Sequence, residues 1–486
     1  MAITNAQFNA SDYVRASGKR LITCGSDKIG AAGVFNYRFY LELVYDSNTY
    51  AFTFRPNNLD SGLINITKIL QTIVSPINQQ QVLTIPEEVE ASGTVDFYKQ
   101  NLHSIPHEKY DAAGNVPQYL STGGTTAAKI VATLYDFYGD TATGTPSKRA
   151  TGSATDKLYI LSGYDIQSDK IAVDYTDYKL TSVSSKFITG NYNLVDTNIY
   201  ATDVTRGDYG TVSLLNRTLE VNTAAETEYI HIQYYKANGG SLAAQTLPNS
   251  TTYGGIFEVG GSIDGNMIIS AGVYPANLDK LDPAVYTIPS ELLSTGVNAL
   301  AYYNVWVSTS GITDAKNSSI YRFNIVEPCE KYARQRFAFL NNFGVWEYIT
   351  FNEKRTDNIS TNNTTIKKSV LDYTANYDVA TVTTAGYTEL AYIPNVAHQN
   401  EKIVATNQTE TFTINTGYLS NSDTEKIKNM FISSQINYIN TDGSARAVIL
   451  TTKSVKDIKN IDKHYEQISY SLTFKYSVAT YNNILA

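Results

Sequence analysis

Residues 328–354 read PCEKYARQRFAFLNNFGVWEYITFNEK, the most aromatic stretch of the chain and the site of Cys329, one of only two cysteines. Phe337 and Phe339 recur two residues apart, and Val345, Glu347 and Ile349 alternate with Trp346, Tyr348 and Thr350. That period of two is the mark of strands. Asn341, Asn342 and Gly344 lie between the two runs, where a tight turn requires residues tolerant of unusual backbone angles. The spacing therefore predicts an aromatic β-hairpin at the heart of a domain. A reactive Cys329 would want nearby cations to stabilise its thiolate. Lys331, Arg334 and Arg336 are near, but Glu327 and Glu330 flank the thiol more closely. It reads as a small buried side chain at a strand start.

Downstream, SNSDTEKIKNMFISS predicts one short helix with Ser422 as N-cap, Glu425 completing a capping box, and Ile427, Met430 and Phe431 facing inward. In QISYSLTFKYSVAT, Ile468, Tyr470, Leu472, Phe474, Tyr476 and Val478 alternate with polar residues, as in an antiparallel strand with one wet or interface face. Upstream, AYYNVWV and SSIYRFNIV read as two paired strands closing a β-sandwich. At the N-terminal end, VFNYRFYLELVY and YAFTF flank the turn DSNT as a hairpin, and LINITKILQTIV follows with helical spacing. The expected organisation is an N-terminal β domain with a short helix over 1–96, a loop-rich β segment over 97–180, a β-sandwich over 181–326 and a C-terminal β module with one capped helix over 327–486. The fold class is mainly β: several antiparallel sandwich-like or barrel-like domains with a few short helices.

The whole chain narrows the function. It has 486 residues and a net charge of -8, which disfavours a coat held to nucleic acid by phosphate neutralisation. The opening residues show no secretory leader, and no run reaches the roughly 18 apolar residues of a membrane helix. Its 38 tyrosines suit half-buried strands and interfaces, although an AT-rich genome would enrich the same residue. No catalytic constellation stands out. His103 and His107 have a metal-like spacing, but Pro106 between them breaks the helix that spacing requires. GGSIDGN at 260–266 lacks the Lys-Ser/Thr of a phosphate loop, and Glu87 and Glu88 are carboxylates without a defined partner. The expectation is no enzyme, no catalytic, cofactor-binding or metal site, and no cofactor.

Pro328-Cys329, Tyr332, Arg336, Phe339-Leu340-Asn341, Gly344, Trp346, Glu347, Tyr348 and Phe351 together resemble a module in virion structural proteins of tailed double-stranded DNA phages that infect Bacteroidetes and related marine bacteria. Gly417-Tyr418-Leu419-Ser420, the capped helix and the last strand continue the resemblance, as does RPNNLDSGLINITKIL near the N-terminus. Val345 stands where the pattern has a second glycine, and Glu347 where Asp is commoner. The resemblance implies a tail ring, hub or adaptor subunit in the virion, assembled in the host cytoplasm. Its implied partners are copies of itself in a closed ring, neighbouring tail or neck proteins, and DNA in passage without specific binding. The alternatives are a head fibre, capsid decoration or receptor-binding protein whose middle sandwich holds glycans, and, remotely, a tail-borne glycan depolymerase.

Overall fold

The computed structural model describes residues 3–8, 13–16, 20–45, 48–73, 127–161, 163–164, 175–215, 229–248, 257–259, 268–279, 289–292, 294–296, 299–308, 315–327, 331–367, 401–440, 445–454, 469–477 and 481–484. It is mainly β, with few and short helices. The first hairpin joins Phe35–Tyr45 to Asn48–Phe54 as its alternation demands, with Phe39, Leu41 and Leu43 fully buried. Two longer strands, Ala127–Gly139 and Ser147–Leu161, extend it, and the short Tyr13–Arg15 completes a five-stranded sheet. A three-stranded sheet (Ile3–Gln7, Leu21–Ser26, Ser61–Asn65) and the helix Thr67–Ile73 add Ile22, Ile64 and Leu70 to the same core. Leu41 lies opposite Leu134 and Leu43 opposite Ala132, so strands from either side of the expected 96/97 boundary are neighbours. Much of the expected loop-rich segment is this long hairpin. Its strand SKRATGSATDK carries polar residues on both faces at the open end, so no period of two announced it.

The middle of the chain builds a six-stranded sheet in the order Gln245–Pro248, Tyr229–Lys236, Leu300–Ser308, Ile320–Ile325, Ile199–Val204 and Leu194–Asp196. The predicted pairing of AYYNVWV with SSIYRFNIV holds, placing Tyr303, Val305, Tyr321 and Phe323 inside. Val212 and Leu214, from a second, three-stranded sheet, enter the same core. The sheet is not wholly antiparallel: Ile199–Val204 runs parallel to Ile320–Ile325, a pairing no local signal could reveal.

The C-terminal sheet runs Trp346–Phe351, Gln335–Leu340, Ile436–Ile439, Ala445–Leu450, Ser471–Tyr476, Glu401–Asn415 and Arg355–Lys367, with Tyr481–Ile484 also on Glu401–Asn415. The helix Asn421–Ile432 buries Ile427 and Met430 as expected. Its cap differs from the prediction. Ser420, not Ser422, adopts the extended N-cap backbone and accepts a hydrogen bond from the Asp423 N–H at 3.1 Å. Asp423, rather than Glu425, sits three residues on, where its charge also complements the helix N-terminus.

The opening stretch forms its hairpin, buried along nearly its whole length. Asn341 shapes the turn: its side-chain oxygen accepts from the Phe343 and Val345 N–H groups, and Gly344 takes a φ of 80° that disfavours any Cβ. One face, Phe337, Phe339, Ile349 and Phe351, enters the C-terminal core. The opposite face, Ala338, Leu340, Trp346 and Tyr348, enters the middle core, across the expected 326/327 boundary. At the turn, Phe343 and Val345 pack with Tyr159 and Leu161 from the end of the N-terminal sheet. Val345, the departure from the resembling pattern, thus fills a third apolar cluster.

The Phe337 ring lies 4.6 Å from that of Phe474 and 5.4 Å from that of Tyr438. Phe337→Ala should therefore cost about 3–5 kcal/mol of unfolding free energy. Ile359→Ala, on an exposed strand, should stay within about 0.5 kcal/mol of wild type. Denaturant titration of both variants measures this; equal losses would contradict the assignment of the core.

Candidate functional site

Where the hairpin enters the middle sandwich, the contact becomes ionic. Asp208 is nearly buried and faces two guanidinium groups, Arg334 at 3.1 Å and Arg336 at 3.3 Å. The Thr205 N–H also donates to its carboxylate, at 2.8 Å. Burial alone would push the Asp208 carboxyl up, but Arg336 and Arg334 outweigh it and hold the group below the usual carboxylate range. The Arg336 guanidinium lies 5.0 Å from the centroids of both the Tyr274 and Tyr348 rings, and donates to the Tyr209 carbonyl at 2.9 Å. Burial pushes the Tyr348 hydroxyl up to about 12, and that oxygen accepts from the Thr211 N–H. The ion pairs, the Arg336–Tyr209 bond and the Tyr348–Thr211 bond tie the hairpin and the preceding Arg334 to residues 205–211, with Tyr274 packed against Arg336.

On the hairpin's other strand, Glu347 is a fully enclosed carboxylate whose pKa is raised chiefly by burial. The Gly190 N–H donates to it at 3.1 Å, and Lys426 on the C-terminal helix opposes the shift. The same helix docks through Asn429, which donates to the Tyr192 hydroxyl and accepts from Tyr164 through its carbonyl, both at 2.8 Å. Glu347, Gly190, Tyr200, Thr211 and Lys426 line a narrow cleft. These contacts join the hairpin to the Gly190 backbone and the C-terminal helix to Tyr192 and Tyr164.

Cys329, His103, His107, His398, His464, Glu87, Glu88 and residues 260–266 lie outside the described residues. Cys24 is buried, and burial pushes its thiol up to about 12, the reverse of an activated nucleophile. His231 is buried with its ring nitrogens at 3.0 Å from the Thr246 hydroxyl and 2.8 Å from that of Ser308. Among the described residues no three metal-ligating side chains cluster, and no helix is long and apolar enough to cross a membrane. Many tyrosine faces of the middle sandwich are occupied by their neighbours: Tyr321 stacks on Phe187 at 4.1 Å, Tyr303 on Phe323 at 5.0 Å and Tyr235 on Tyr302 at 4.7 Å. Arg322 covers Tyr302 in turn.

Among the described residues, one long and almost wholly exposed element is an arm. Arg355–Lys367, thirteen residues long, pairs along its whole length with Glu401–Asn415 and is exposed from residue 356 onward. By the usual rise per residue it spans about 44 Å. Its base is fixed: the Arg355 guanidinium lies 4.2 Å from the Phe412 ring centroid and donates to the Tyr476 hydroxyl at 3.1 Å. The other side of the strand pairs with no described residue. The sequence signal for the arm was a run of Thr, Asn and Ser, legible as polar strand but not as a projection. Asp208 escaped notice because more than a hundred residues separate it from its arginines. A scan against protein-family models and a search of curated proteins return no match.

Two predictions concern the seam. Asp208→Asn leaves buried Arg336 and half-buried Arg334 without a counter-charge and should destabilise the fold by about 3–5 kcal/mol. The depressed pKa of Asp208 means its contribution is present above the unfolded-state value near 3.9 and is lost as pH falls through the lower folded value. Urea titrations at neutral pH and in acid measure both; an unchanged midpoint at neutral pH would contradict the assignment. Glu347 has the opposite sign. Its raised pKa means stability declines as pH climbs from the unfolded value near 4.3 toward the folded one. The stability of Glu347→Gln relative to wild type should therefore rise across that window, and a flat difference would contradict the reading.

Proposed function

We propose that this chain is a structural subunit of a tailed-phage virion, a tail ring, hub or adaptor protein that acts by assembly and not by catalysis. One observation carries the assembly part: a thirteen-residue strand, exposed on both faces, projects from a firmly packed base and offers an unpaired edge. A ribbon of this kind has little core of its own and gains stability when another chain covers it. The virion part rests on the resemblance of the hairpin motif, from Arg336 through Phe351, whose residues fill packing, turn and seam positions. Cys329 is not drawn into a chemical role, and no cofactor enters the proposal. The net charge of -8 suits a subunit beside DNA that must pass without sticking.

Mass photometry and negative-stain imaging of the full chain over a concentration series test this reading. The expected result is a closed ring whose population grows with concentration. Particles with three-fold symmetry would favour a fibre or receptor-binding part. A chain that stays monomeric at every concentration would contradict self-assembly.

A further inference from the structure

Natural sheets shield their edges with short strands, charges, prolines or bulges, because an unpaired row of N–H and C=O groups invites another strand. Of the described outermost strands, only two reach seven residues, Asn48–Phe54 at the edge of the N-terminal sheet and Arg355–Lys367 on the arm; residues 147–158, beyond the short Tyr13–Arg15, are also open on their outer side but carry Lys148, Arg149, Asp156 and Lys157. The others, such as Tyr13–Arg15, Leu194–Asp196 and Gln245–Pro248, are short. Neither long edge carries a charge or proline along its middle, although the arm's pairing shifts register between Thr364 and Thr365. Residues 48–54 read NTYAFTF, and residues 358–366 read NISTNNTTI; both lack any charge or proline. The outer side of residues 49–54 pairs with no described strand. One chain thus carries two open edges, one on the exposed arm and one seated on a packed core.

We propose that the arm strand of one copy adds to the 49–54 edge of the N-terminal sheet in a second copy, extending that five-stranded sheet. This inference rests on the assembly reading above and names its contact. Backbone hydrogen bonding supplies the attraction, so the Thr, Ser and Asn side chains of the arm need only stay out of the way. Side chains add an apolar contact. Phe52 and Phe54 flank the acceptor edge and are only partly covered by the N-terminal core. The arm offers Ile359, 61% exposed, and Ile366, 47% exposed. They fall on opposite faces, so one Ile meets Phe52 and Phe54 whichever face turns inward. Donor and acceptor are different surfaces, so the contact is heterologous and repeats from copy to copy until a ring closes.

The test uses the full chain in a Cys329→Ser background. Cys24 is left in place because its buried thiol, pushed up to about 12, does not react with maleimide at neutral pH. One preparation carries Thr53→Cys; the other carries Asn358→Cys, Ser360→Cys, Thr361→Cys or Asn362→Cys in turn. The two are mixed, allowed to assemble and treated with a short bismaleimide. The expected result is a covalent dimer joining position 53 to at least one arm position, found in the mixture and absent from either preparation alone. Hydrogen exchange of the unmodified chain gives a second readout: residues 49–54 and 358–366 should both gain protection on assembly. Particles that form without any adduct at position 53 and without protection there would overturn this contact and leave the assembly reading standing, as would arm-to-arm adducts alone. Failure to assemble at all would overturn both.

Discussion

The hairpin of residues 335–351 is inserted between cores with neither face left to water, and the rest of the molecule depends on that constraint. An antiparallel pair ordinarily has one wet face. Here Phe337 and Phe351 belong to the C-terminal core while Leu340 and Trp346 belong to the middle one. Burial on both faces obliges the polar groups of the hairpin to find partners inside the protein, since water is excluded. Arg336 meets Asp208 between two tyrosine rings, and Glu347 meets the Gly190 amide. The ionic seam is thus a consequence of the packing. Its charges fix how the middle and C-terminal parts sit together, because a sheared interface would strand Asp208 or Arg336 unpaired in a medium that penalises isolated charge.

The packed body gives the arm its root. Arg355 closes the base by stacking on Phe412 and bonding to Tyr476. Beyond it the strand leaves the core and exposes Thr, Asn and Ser. In a subunit that works by assembly, the division is sensible. Under the proposed assembly, affinity would come from backbone and a few apolar side chains at the periphery, and geometry from the packed body. The raised pKa of Glu347 and the lowered pKa of Asp208 pull stability in opposite directions with pH, so acidification strengthens one part of the seam and weakens another.

Local pattern made part of this legible. The alternation in 335–351, the Asn341 and Gly344 turn, the first hairpin and the helix stripe of Ile427 and Met430 could all be read from neighbours in sequence, because strand and helix periods are short-range signals. The N-cap was displaced by two residues because Ser420 and Ser422 are both plausible caps, and only the backbone decides between them. Long-range features were silent. Nothing in RGDYG announces that Asp208 will face arginines at 334 and 336, and nothing in SKRATGSATDK marks the longest strand of the N-terminal sheet. The two-sided burial of the hairpin was hidden for a simpler reason: alternation distinguishes two faces but says nothing of what covers each.

The claim that the hairpin fuses the middle and C-terminal parts into one cooperative unit is most directly tested by native-state hydrogen exchange across a denaturant series. Peptides covering the middle strands Tyr229–Lys236 and Leu300–Ser308 should open together with those covering the C-terminal strands Ile436–Ile439 and Ser471–Tyr476. The shared hairpin predicts one opening free energy and one denaturant dependence for all four. C-terminal strands that open at clearly lower free energy, with the middle strands still protected, would show two separate units and contradict the account.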